Sequence, residues 1–90
     1  MPVMLQLPQS LAVLVGTPSL EASGGTVGEV IADVSERYPA LGQRLRDPAG
    51  RPYSHVRFFL NDDDVRERGG LAAPVRGGDE LVVVPAVAGG

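Results

Sequence analysis

The sequence predicts an α+β fold, a mixed sheet of four to five strands with one main helix on one face. Three observations predict it. Strand patterns fall near both ends and past the middle, at Val3–Leu7, Val56–Asn61 and Glu80–Val84. Only one long stretch, Thr26 to Tyr38, carries apolar residues at helical spacing. Gly, Pro and Asp clusters separate these segments, and no internal repeat or second domain is visible.

Each element has a local reason. Val3, Leu5 and Leu7 alternate with Met4 and Gln6, the period of a half-buried strand, and Pro8 closes it. Leu11 to Val15 is apolar, Gly16-Thr17-Pro18 turns, and Ser19 to Ser23 is expected to return as a second strand of a hairpin. Gly24-Gly25 opens the helix. Thr26-Val27-Gly28-Glu29 has the form of a capping box, with Val27, Val30, Ile31, Val34 and Tyr38 on one stripe. Pro39 disfavours helical geometry at Tyr38 and so ends the helix there. Ala40 to Arg46 suits a short further helical turn, and Asp47 to Pro52 is turn chemistry. Val56 to Asn61 is the clearest strand. Asp62-Asp63-Asp64 is expected to turn, with a short strand beginning at Val65. Leu71 and Val75 are expected to anchor a compact segment before Gly77-Gly78-Asp79 turns into the last strand. The first and last strands are the most apolar, which suits central places in the sheet.

Composition excludes several function classes. Ninety residues make one small domain with a modest core. No cysteine is present, so disulfides, thiolate metal sites and Cys nucleophiles are absent. One histidine cannot make a multi-His metal cluster. A net charge of −3 with scattered arginines argues against a nucleic-acid partner. No apolar run approaches the roughly 20 residues that cross a bilayer, so no membrane role is expected. Met1 is followed by no signal-like segment, and a cytoplasmic location is the expectation. All eight basic residues are Arg. A chain without Lys or Cys lacks the usual side-chain nucleophiles that would attack an activated carboxyl on its own fold.

No constellation of side chains makes an active site. His55 has no nucleophile motif around it. Asp62-Asp63-Asp64 is consecutive, unlike the spaced ligand set of a calcium loop, and the glycine pairs lack a phosphate-binding spacing. The chain therefore reads as a carrier or substrate rather than an enzyme, with no bound cofactor and no metal.

Two features remain. The first is a second apolar face. If Val3, Leu5, Leu7, Val56, Phe58, Leu60, Leu81 and Val83 face the helix, then Met4, Phe59, Val82 and Val84 face away from it. Strands with one solvated side should carry polar groups there, so these four form a candidate docking face. The second is the ending Pro85-Ala86-Val87-Ala88-Gly89-Gly90. Pro85 donates no hydrogen bond, so sheet pairing should end near it. Residues 1–84 then form the domain and 85–90 a flexible tail. Taken alone, the diglycine suits both a thin arm that enters a narrow slot and an ordinary frayed end.

The strand–strand–helix–strand–strand order, the helix opening Thr26-Val27-Gly28-Glu29-Val30-Ile31-Ala32-Asp33-Val34, the run Val56 to Arg66, and the ending Gly77 to Gly90 resemble the ubiquitin-like (β-grasp) sulfur carriers of the ThiS/MoaD family. The resemblance covers nearly the whole chain and is closest to the actinobacterial cysteine-biosynthesis branch. It implies that an E1-like, ATP-dependent enzyme adenylates Gly90 and that a sulfur donor converts it to a thiocarboxylate. It further implies a sulfur-acceptor enzyme, such as a PLP-dependent cysteine synthase or another thiocarboxylate-using synthase, and a metallopeptidase that regenerates the end. Val87, Ala88 and Gly89 would be the tail that enters those enzymes. Val84 matches a family position that packs on the activating enzyme, and Phe59 shares its face. The Ala40–Ser54 loop is longer than in the shortest thiamine-pathway carriers, and with Gly90 written last no processing of the end is expected. The small subunit of molybdopterin synthase, a carrier shared with natural-product pathways, a modifier conjugated through Gly90 and an inert interaction module remain open at this point.

Overall fold

The computed structural model describes residues 1–85. Five strands form one sheet in the order β2-β1-β5-β3-β4, where β1 is Val3–Gln6, β2 Ser19–Ala22, β3 Val56–Leu60, β4 Asp63–Asp64 and β5 Glu80–Pro85. The central pair β1 and β5 runs parallel, and every other neighbour is antiparallel. As their composition predicts, the two most apolar strands lie inside the sheet. A parallel pair cannot be joined by a hairpin. Everything between β1 and β5 therefore serves as the crossover that brings the chain back.

That crossover contains the helices. The helix α2, Val27–Arg37, forms where expected, and Thr26 Oγ1 accepts from the Glu29 amide at 3.2 Å. Glu29 reaches back one residue further than the standard box, accepting from the Gly25 amide at 2.7 Å. Val27, Val30, Ile31 and Val34 are buried against the sheet. Tyr38 breaks the helix at φ −131°, and Pro39 starts α3, Pro39–Leu45. The two helices cross closely because position 42 is glycine: a Cβ there would lie 2.8 Å from Ser35 Cβ. Leu41 and Leu45 then join the core.

All eight residues expected on the helix-facing side, Val3, Leu5, Leu7, Val56, Phe58, Leu60, Leu81 and Val83, are buried. Other expectations are corrected. The β1–β2 connection is not a plain turn: it holds a short helix α1, Gln9–Ala12, started by the Pro8 carbonyl, which accepts from Leu11 and Ala12 at 3.0 and 2.8 Å. Its Leu11 is buried in the core. Strand β2 stops at Ala22. The aspartate run does not turn as a unit. Asn61 takes the left-handed conformation (φ 54°), Asp63 and Asp64 pair with β3, and Val65 begins a 3₁₀ turn rather than a strand. Asp64 caps that turn by accepting from the Arg66 amide at 2.9 Å. Val75 anchors the next segment as expected, but Leu71 is 38% exposed. The segment is held instead through the helix entrance: Val27 N–H donates to Ala73 O and Val75 N–H to Gly25 O, both at 3.0 Å. Finally, Pro85 belongs to β5, opposite Val56, so the strand takes in the first residue assigned to the tail.

Candidate functional site

The helices cover one side of the sheet and leave the other open. On the open side, Val82 is the hub, because β5 has neighbours on both sides. It pairs with Gln6 of β1 and Phe59 of β3, and Phe59 pairs in turn with Asp64 of β4. One row thus reads Gln6, Val82, Phe59, Asp64 across four strands. Met4 lies in the adjacent row, paired with Glu80. Val84 lies in the next row the other way, opposite Arg57. Met4, Phe59 and Val82 are half-buried and Val84 is 40% exposed. The strand alternation thus places all four predicted docking residues on one surface, with Phe59 and Val82 in direct cross-strand register.

This surface has polar borders that the sequence reading left out. Ser19 Oγ donates to Gln6 Oε1 at 3.0 Å, which fixes the amide beside the apolar row. On the opposite border Arg66 grips Asp64 through Nη2 and Nε, at 3.0 and 3.3 Å. That grip, with the Arg66 amide, holds the Asp64 carboxyl below its usual range. Arg57 also contributes to the lowering, and it makes no ion pair among the described residues. The signal was present in Val56–Leu60, since Arg57 and Phe59 share a parity. Asp64 was hidden because a triple aspartate reads as a turn.

The far end of the surface is locked by Asn61. Its amide donates to Glu80 O at 2.9 Å, its Oδ1 accepts from Glu80 N at 3.0 Å, and its Nδ2 donates to Asp79 Oδ1 at 3.1 Å. Strand β5 is therefore pinned at its start, and its other end leads to residue 86. Val87, Ala88, Gly89 and Gly90, the predicted tail and reacting residue, lie outside the described residues. Among the described residues no group of three or more His, Cys, Asp or Glu could hold a metal ion. His55 is exposed and stacks on Tyr53, with ring centroids 5.1 Å apart. No helix among the described residues is long and apolar enough to cross a membrane.

Comparison with known proteins decides the family of the chain. The ThiS family model matches residues 5–90, from Leu5 in β1 to the diglycine. The chain belongs to the ThiS family. The sulfur carrier protein CysO of Mycobacterium tuberculosis is 44% identical over 77 residues, 83% of each chain. The structure also matches CysO in the crystal structure of the Amycolatopsis orientalis BexX/CysO complex, with a TM-score of 0.88 and 40% identity over 98% of this chain and 99% of that one. The small archaeal modifier protein 1 of Methanosarcina acetivorans matches with a TM-score of 0.89 and 26% identity, over 98% and 95%. The fold of this ThiS-family chain is thus the β-grasp of the ubiquitin-like carriers.

Proposed function

We propose that this ThiS-family chain is a cytoplasmic sulfur carrier whose reacting group is the carboxyl of Gly90, most simply for cysteine formation. The observation that carries the reading is the family match through Gly90 to carriers of that name, in a chain that has no Lys or Cys. The open face at the root of the terminal segment supports it, because a partner seated there also holds the end.

The chemistry follows from the end group. A carboxylate is a poor electrophile. On an E1-like partner, a Gly90 oxygen attacks the α-phosphorus of ATP, pyrophosphate leaves, and an acyl adenylate forms. A hydrosulfide-equivalent donor then attacks the carbonyl carbon, the bond to the phosphate oxygen breaks, and AMP leaves. The product is a thiocarboxylate, one oxygen replaced by sulfur. Its sulfur is a nucleophile for an activated serine on a PLP-dependent synthase. An acyl shift to nitrogen and peptide hydrolysis by a metallopeptidase would release cysteine and restore Gly90. The carrier supplies the end and the docking face, and the partners supply the catalysis.

Intact mass spectrometry tests this. After incubation with ATP, sulfide and the adenylating enzyme, the chain should gain the mass of one oxygen-to-sulfur exchange. Replacing Gly89 with a bulky residue should abolish the gain and leave the melting temperature unchanged. An unchanged mass with a competent enzyme rejects the carrier reading. Adducts on lysines of other proteins would point to a modifier instead.

A further inference from the structure

Beside the open face lies a cavity that the sulfur chemistry does not use. It has a volume of about 290 Å³ and sits between the start of β3 and the two 3₁₀ turns, Val65–Glu67 and Gly70–Ala72. Val56, Phe58, Val65 and Leu71 line it with apolar surface, and Arg57 and Arg66 stand in its wall. Small-molecule pockets run from about 300 to 1,000 Å³, so this one stands at their lower limit and has room for a single large side chain.

The two arginines differ. Arg66 is already neutralised by its two-point contact with Asp64. Arg57 has no ion-pair partner among the described residues and sits across from Val84 in the ladder. One net positive charge therefore borders an apolar hole. The same hole adjoins Val56, the partner of Pro85, where the chain passes into its terminal segment. Gly70, which lines the hole, has backbone that only glycine adopts easily, with φ of 66°, and Gly69 before it has φ of 108°. Those turns carry the chain away from β3 after only two residues of β4, and the hole is the space they leave.

We infer that this cavity is a socket for an aromatic side chain of a partner protein, with an acidic residue next to it that meets Arg57. Aromatic anchors in desolvated pockets dominate protein interfaces, and the lone Arg57 charge selects a carboxylate beside the anchor. The socket stands apart from Gly90 chemistry, since it needs only a folded domain.

NMR titration of the isotope-labelled full chain tests it, with capped dipeptides Glu-Phe and Arg-Phe and with phenylacetate as probes. Glu-Phe should shift the amides of Val56, Arg57, Val65 and Leu71, and Arg-Phe should shift them less. Arg57→Gln should weaken Glu-Phe by about two- to fivefold, the size of an exposed charge pair, and leave Arg-Phe unchanged or improved. Equal response to both dipeptides, or shifts centred on Phe59 and Val82 instead, would overturn the inference. Tighter binding of phenylacetate than of Glu-Phe would also overturn it, by making the socket a small-molecule site. Failure here leaves the mass-gain experiment untouched, and the reverse holds as well.

Discussion

The two sides of one sheet carry similar apolar residues for different reasons. On the covered side Leu5, Leu81, Phe58 and Val83 share one core with Val27, Val30, Ile31 and Val34 of α2 and are almost wholly buried. On the open side Val82, Phe59, Met4 and Val84 keep part of their surface in water, within a rim of Gln6, Asp64 and Arg57. Burial explains the first set completely. It does not explain the second, because a strand with one wet side is free to use Thr, Lys or Glu there. On the docking reading, apolarity on the open side is information about a partner, whereas on the covered side it is information about the fold.

The largest expected effect breaks the covered side. Leu5 and Leu81 are cross-strand partners, and each is 0% exposed. Leu81→Ala should cost about 2–5 kcal/mol, the range for a buried Leu truncated in a packed core. In a chain this small that is much of the total stability. Val82→Ala, one residue along, should cost far less. Urea unfolding of the two variants measures the contrast, and equal losses would mean that the open side is structural too.

The next effect belongs to the open side. Phe59→Thr should lower the unfolding midpoint far less than Leu81→Ala and weaken binding of the adenylating enzyme by about 2 kcal/mol or more, the scale of an interface hot spot. Calorimetric titration reads the affinity, and Val84→Asp should follow it more weakly because Val84 lies toward the rim. Retained affinity with a lowered midpoint would reverse the assignment of the two faces.

The sequence carried the covered side well because alternation is a strong signal. Every residue assigned to it is buried, and the cap at Thr26 and the break at Tyr38–Pro39 stand where turn chemistry puts them. The losses were of two kinds. Helix α1 was missed because its four residues lack a periodic pattern, and a proline carbonyl starts it without a side-chain cap. The role of Asp64 was missed because it depends on register with Phe59, a long-range fact that no local window contains. The socket was illegible for the same reason, since its walls come from β3 and from turns beyond it. The four residues of the open face were legible as a face, while their polar border and their order around Val82 needed the sheet topology.

The smallest effect concerns the edge strand β2, where the covered side meets solvent. An open edge invites pairing with another chain. Here α2 closes it with side chains: Asp33 Oδ2 accepts from the Ser23 amide at 2.9 Å and from Arg37 Nη2 at 3.0 Å, and Arg37 Nη2 also donates to Glu21 O at 2.6 Å. The Ser23 amide, assisted by Arg37 and opposed by burial, holds the Asp33 carboxyl below the usual carboxylate range. A carboxyl depressed in the folded state stabilises the fold above its unfolded pKa, and that contribution disappears as pH falls through the folded value. Stability should therefore drop below about pH 4. Asp33→Asn should cost up to about 1 kcal/mol at neutral pH, as for other exposed pairs, and should flatten part of the acid slope. Part of the slope should persist, because hydrogen bonds also depress Asp64 and Asp79. Urea midpoints of both proteins from pH 7 to below pH 4 would show it. Parallel curves would mean that Asp33 and Arg37 close the edge by shape alone, leaving the open face as the part of the sheet where charge placement matters.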